Sequence, residues 1–277
     1  MISQPSRTFF VPIRSIVYGA AIPWLITLSG CATAPHRPVT APIRSPAWRS
    51  SLPLPSAVQS IVVDAGHGGN DPGTSHNGLK EKHLTLDISK RLRDQLQEAG
   101  LTVTLTRESD QFITLESRPA VANRLGTDLF VSVHVNANPY NHNISGVEAY
   151  YPRVSVVSSS SWPAFLSSDE IGTASAEVRQ VVWDLVLART RTQSRRLAAS
   201  ICRTMKNQLH IPCLGTKAAR FVVLREAWMP AVLVEVGYVT NRNEAERLGT
   251  AAYRQAAAEA IANGIVSYIR ELGVQHI

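Results

Sequence analysis

Cysteine is scarce in this 277-residue chain: there are three, Cys31, Cys202 and Cys213. No further His or Cys repeats beside Cys202 and Cys213 at ligand spacing, which argues against a zinc cluster built on that pair. The phosphate-cradling patterns G-x-G-x-x-G and G-x-x-x-x-G-K-[ST] are missing, and so is H-E-x-x-H, whose absence removes the zincin class. There is no internal repeat. Acidic charge is in deficit, 21 residues against 28 basic ones. The basic residues are scattered and carry no recognition motif, so nucleic acid is not an expected partner. The apolar run near the start, Ile16 to Leu28, is too short for a comfortable membrane span.

What is present is a set of metal-type side chains placed after β-type runs. SIVVD, Ser60 to Asp64, is broken by AGHGG, so His67 is expected on a Gly-rich turn at the carboxyl end of a strand. Leu129 to Val133 reads as a buried strand that delivers His134. Carboxyl ends of strands are where sites form in open α/β sheets. Glu81 stands at the entrance to a helix whose Leu84, Ile88, Leu92 and Leu96 recur every four residues. Two imidazoles and a carboxylate suit catalytic Zn²⁺ with a fourth position left for water. Ala231 to Val234 reads as another buried strand, followed by Glu235, an ionisable group amid apolar neighbours and a candidate proton carrier. Taken singly, each has a blander reading: a turn histidine, a solvated helix start, a buried acid paired with an arginine.

The ordered blocks DAGHGGNDPG, GLKEK, SVHVNA and VEVGYVTN resemble the zinc-dependent N-acetylmuramoyl-L-alanine amidases of bacterial cell-wall turnover, the amidase 3 family, from about Ser60 to about Leu272. TRESDQFITLESRPAVAN, with Arg107, Asp110, Leu115, Arg118 and Asn123, is similar to a further block of that family. The resemblance implies that His67, Glu81 and His134 bind one Zn²⁺ per chain and that Glu235 is the catalytic carboxylate. It implies an α/β fold: a single domain with a twisted, mostly parallel central sheet of about six strands flanked by helices, phosphorylase/hydrolase-like, with a helical insertion. The substrate implied is peptidoglycan, cut between N-acetylmuramic acid and L-alanine, by a protein expected to be a monomer. Ala65 stands where the family usually has Pro, and GYVT replaces the commoner GFLS after Glu235; neither touches a ligand. Alternatives are a zinc peptidase acting within the stem peptide and a non-catalytic wall-binding lipoprotein. Arg118 and Arg225 are candidates for substrate carboxylates, weighed against structural ion pairs.

Residues 1–30 read as an export signal, with Arg7 and Arg14 ahead of the apolar run. Leu28-Ser29-Gly30-Cys31 resembles a bacterial lipobox, implying cleavage before Cys31 and lipidation there, against an ordinary secretory signal or an uncleaved anchor. In a cell with two membranes, Ala32 after the cysteine resembles the pattern of lipoproteins sent to the outer one, which would place the enzyme on its periplasmic face. Removing Arg7 and Arg14 from the 28 basic residues leaves 26 against 21, a mildly cationic balance that holds a protein near anionic wall or lipid. Residues 31–57, rich in Pro, Ser and Arg, read as an extended tether, and 58–277 as the catalytic domain. Cys202 and Cys213 are either a local disulfide or two buried thiols.

Between SGVEAYYP and SRRLAASICRTM lies an insertion of roughly forty residues, 152–193. It holds a low-complexity stretch, Ser155 to Ser161, and a helix expected over about Ala174 to Arg189 with an apolar stripe of Val178, Val181, Val182 and Leu185. Its position resembles that of an inserted helix which in some family members covers the zinc until a LytM-type activator displaces it. Asp169, Glu170 and Glu177 are then candidate extra ligands; the alternative is a surface helix packed on the sheet.

Overall fold

The computed structural model describes residues 58–153 and 174–274, which fall within the compact unit Arg44–Ile277. The export signal, Cys31, the tether, the Ser155–Ser161 stretch, Asp169 and Glu170 lie outside the described residues.

The sheet strands are β1 (Ser60–Ala65), β4 (Thr102–Leu105), β5 (Leu129–Asn136), β6 (Val147–Pro152), β7 (Cys213–Ala219) and β8 (Ala231–Tyr238), of which β1, β4, β5 and β8 are rich in β-branched residues. They form one sheet in the order β4-β1-β5-β8-β6-β7. The first four are mutually parallel, β6 runs antiparallel to β8, and β7 is parallel to β6. A small hairpin, β2 (Ser75–His76) and β3 (Leu79–Lys80), precedes α1 (Glu81–Glu98).

Successive side chains of a strand point to opposite faces, so each buried run serves two cores. Val131, Val133 and Val135 of β5 and Val232, Val234 and Val236 of β8 join the larger core. It is closed by Leu84, Ile88, Leu92 and Leu96 of α1, by the long helices α3 (Ala176–Leu209) and α6 (Ala251–Val274), and by Leu248 of the short α5 (Arg242–Leu248). Phe130, Leu233 and Val62 face the other way, against α2 (Ser117–Leu125) and the single turn α4 (Val222–Arg225). His134 and Glu235 share that second face, which the short α2 and α4 cover only in part.

α3 differs from expectation. Instead of two helices it is one helix of 34 residues, about 51 Å long at 1.5 Å per residue. Ser194 fixes its height, because its Oγ accepts the Ala231 N–H at the first residue of β8 (2.9 Å). The other end lies beside the start of β6, where Pro212 O accepts the Val147 N–H (2.9 Å). Residues 176–193 therefore project roughly 27 Å past the edge where β8 begins. Trp183 anchors this extension edge-on against Trp228, which precedes β8, with ring centroids 6.5 Å apart.

The expected apolar stripe is also corrected. Val178, Val181 and Leu185 are exposed, and the buried face follows Trp183, Leu187, Thr190, Ser194, Leu197 and Ile201. That spacing of four and three lays a continuous seam against the sheet and Trp228; of the expected stripe only Val182 packs beside it, half-buried, while the other three turn outward. Cys202, near the end of α3, and Cys213, at the start of β7, form a disulfide.

Candidate active site

The Gly-rich turn after β1 holds His67 in the left-handed region, φ 59°. Two glycines are required around it. A Cβ on Gly66 would sit 2.5 Å from the His134 ring, and one on Gly73 would sit 2.5 Å from Glu81 Oε2 and 2.7 Å from His67 Cδ2. The turn's carbonyl oxygens are gripped from beneath by two buried guanidiniums. Arg118 donates to Ala65 O (2.7 Å), His67 O (2.9 Å) and Asp64 Oδ1 (2.9 Å), and Arg107 to Ala65 O (2.9 Å) and Gly66 O (2.8 Å). Arg118 is thus structural and does not face substrate, while Arg225 pairs with its neighbour Glu226 at 2.9 Å.

Glu81, the first residue of α1, is brought between the two histidines. Its Oε2 lies 3.2 Å from His67 Nε2 and its Oε1 2.9 Å from His134 Nδ1. Backbone N–H groups of Thr74 and Val135 donate to the same two oxygens at 2.9 and 3.0 Å. Burial alone would raise the Glu81 pKa, but the two imidazoles outweigh it and hold the carboxyl well below its usual range. Burial likewise opposes charging of His67, yet Glu81 and Asp71 prevail and raise its pKa. Asp71 meets His67 Nδ1 at 2.7 Å and takes the Gly73 N–H at 3.0 Å, so the ring presents Nε2 to Glu81. One donor atom each from His67, Glu81 and His134 lies within 4.8 Å of the others, a spacing a single cation can bridge.

Glu235 stands beside His134 in the β5–β8 register and opposite Glu148 in the β8–β6 register. The residue is part-exposed, while its Oε2 is buried with no hydrogen-bond partner. Burial, and then the negative charges of Glu81 and Glu148, push its pKa well above the usual value. Glu148 has the opposite surroundings: its carboxylate accepts the Tyr150 hydroxyl (2.5 Å), the Asn136 amide (3.3 Å) and the Lys217 ammonium. The two facing carboxylates thus have unequal surroundings, Glu148 with three hydrogen-bond donors and Glu235 with a buried oxygen that has none.

Residues 61–267 match the family described as N-acetylmuramoyl-L-alanine amidase. The chain belongs to this family. It is 37% identical over 219 residues to the N-acetylmuramoyl-L-alanine amidase AmiA of Escherichia coli K12, covering 75% of each protein. It is 34% identical over 254 residues to AmiA of Salmonella typhimurium, covering 88% of this chain and 87% of that one. The solved N-acetylmuramoyl-L-alanine amidase AmiC2 of Nostoc punctiforme superposes with a TM-score of 0.60 at 32% identity, over 76% of this chain and 97% of that structure. This amidase therefore acts on peptidoglycan at the muramoyl–alanine amide, which sets aside cleavage within the stem peptide and a purely binding role.

The four residues the sequence singled out, His67, Glu81, His134 and Glu235, come together across β1, α1, β5 and β8. Asp71 was missed, although a carboxylate four residues after His67 within DAGHGGNDPG was a readable signal. Glu148 and Tyr150 lay in SGVEAYYP, where strand alternation marks them as one face. No local pattern pointed to Lys217. Glu177 is excluded as a further ligand, because it sits at the start of the α3 extension, beyond the sheet edge opposite the site.

Proposed function

We propose that His67, Glu81 and His134 bind one Zn²⁺ and that Glu235 is the catalytic carboxylate for hydrolysis of the amide between N-acetylmuramic acid and L-alanine. The observation that carries this reading is the convergence of three donors from separate elements beside a carboxylate oxygen that is buried and unpartnered. The donor set fits the ion: two imidazoles and one carboxylate, with Asp71 behind His67 to fix its tautomer. Zn²⁺ held there would supply Lewis acidity, making water more acidic and, by polarising the amide C=O, the carbonyl carbon more electrophilic. Glu235 takes a proton from the attacking water and delivers it to the departing alanine nitrogen, leaving a muramoyl carboxyl and a free amine. Its buried, unpartnered Oε2 leaves it free of any competing hydrogen bond for that transfer. Glu148 lies beside it, held by Tyr150, Asn136 and Lys217, and Arg107 and Arg118 keep the His67 turn from shifting.

Digestion of purified sacculi tests this reading. The parent protein should release intact stem peptides with new alanine amino termini, whereas Glu235→Ala and a chelated sample should release none. A folded Glu235→Ala variant as active as the parent would overturn the assignment.

For the remainder of the chain we propose export by residues 1–30, lipidation at Cys31, and a tether over 31–57 that stands the enzyme off a membrane toward the wall. In a cell with two membranes this places it on the periplasmic face of the outer one, serving wall remodelling or daughter-cell separation. Among the described residues no helix is long and apolar enough to cross a membrane. A LytM-type activator acting through the insertion 152–193 is the partner this family resemblance supports, and the exposed Val178, Val181 and Leu185 offer it an apolar face.

A further inference from the structure

One half-exposed cation on the face of the sheet that carries Glu235 has no part in the proposed proton transfer. Lys217 of β7 is in register with Tyr150 of β6, so the two side chains share the face that carries Glu148 and Glu235. Its ammonium contacts Glu148 Oε1 and lies 5.9 Å from the Tyr150 ring centroid. Phe221 packs on the same ring at 5.2 Å. The two partners differ in access: the Lys217 side chain is 49% exposed and that of Glu148 is 4% exposed. An ammonium has three N–H donors, and one is used on Glu148. Among the described residues the others have no hydrogen-bond acceptor, at a point fixed by the pairing.

That point lies at a definite distance from the chemistry. Neighbouring strands are about 4.8 Å apart, so an ammonium above Glu148 is displaced roughly 5 Å across the sheet from Glu235 and roughly 10 Å from His134. A peptide advances at most about 3.3–3.6 Å per residue, which puts the α-carboxyl of the second stem residue about 7 Å from the scissile carbonyl. With that carbonyl between His134 and Glu235, the second residue reaches the ammonium. In peptidoglycan this residue is a γ-linked glutamate whose α-carboxyl is either free or amidated. A free carboxylate accepts a charge-assisted hydrogen bond from Lys217; an amide loses the charge and presents donors to a donor.

We propose that Lys217, held in place by Glu148 and Tyr150, binds the free α-carboxylate of the second stem-peptide residue and so sets a preference for unamidated peptidoglycan. This rests on the reading of His67, Glu81, His134 and Glu235 as the amidase site.

The test measures equilibrium binding of two muropeptides, differing only in a free or amidated second residue, to the Zn²⁺-loaded full chain carrying Glu235→Gln. The free carboxylate should bind roughly tenfold tighter, as for one charge-assisted hydrogen bond. Adding Lys217→Met should bring the two dissociation constants within about twofold of each other, and Lys217→Arg should keep most of the difference. A purely structural Lys217 would weaken both ligands alike and leave their ratio untouched. A ratio unchanged in Lys217→Met, or already near one before it, overturns the inference. The underlying site reading is judged separately, by whether Glu235→Gln abolishes hydrolysis of both muropeptides.

Discussion

His67 carries much of the residue-level chemistry, because its two nitrogens have different partners. Asp71 on Nδ1 leaves Nε2 directed at Glu81, and such outer carboxylates tune a histidine ligand's affinity. Asp71→Asn should weaken Zn²⁺ binding about 10- to 100-fold in a competition titration against a chelator, with the fold intact by circular dichroism. A pH effect follows from the same contacts. In metal-free protein the His67 pKa is raised, since Glu81 and Asp71 outweigh burial. A raised histidine stabilises the fold below its unfolded pKa near 6.5, and that stability is lost as pH rises through the higher folded value. Metal-free parent should therefore lose more stability than His67→Gln between about pH 6 and pH 8 in denaturant titrations, while Zn²⁺ affinity rises over the same window as protons leave the ligands. Glu235→Gln should cut turnover at least about 100-fold, the range for loss of a general acid–base group, with little change in Zn²⁺ content. His67 and Glu235 were legible because each follows an apolar run that ends or is interrupted by one ionisable residue. Lys217 was not, because its meaning comes from Glu148, 69 residues away in sequence.

Among the elements, the turn after β1 depends on a buried ion pair more than on its own sequence. Asp64 is fully buried and accepts from Arg118 (2.9 Å), Thr106 (2.7 Å) and Ser132 (2.7 Å), joining β1, β4, α2 and β5. Removing one partner strands the other's charge, so Arg118→Met should cost about 3–5 kcal/mol and lower the melting temperature by roughly 10 °C. α1 was readable as a helix because four leucine-type residues recur on one face, and all four are buried. α3 was misread because its valines look like a stripe when only their own window is considered. Trp183 and Leu187 decide the buried face, and what they pack on, Trp228, lies far away in sequence. The Cys202–Cys213 disulfide, left open by spacing alone, joins the end of α3 to β7, the strand that bears Lys217. A closed loop of this size is worth about 2–3 kcal/mol, and reduction should lower stability by that amount in denaturant titrations.

At the level of the whole molecule, the sheet separates support from chemistry. The larger core is sealed by α1, α3 and α6, while the opposite face carries the row His134, Glu235 and Glu148 beside α2 and α4. Placement of that face in the cell belongs to the proposed amino-terminal segment. Cys31→Ala should move the protein from the membrane to the soluble fraction while leaving hydrolysis of soluble muropeptides by the purified enzyme unchanged.

The sequence alone determined the family and the α/β class, and it singled out the four residues of the proposed site. Each was announced by its own neighbours: a β-branched run, a Gly-rich turn, a helical repeat of leucines. Only the tertiary structure decided which carboxylates face each other, which arginines are buried braces, where α3 points and what Lys217 touches. These depend on strand order and register, which bring residues far apart in sequence to within about 5 Å of each other, and no local pattern encodes that juxtaposition.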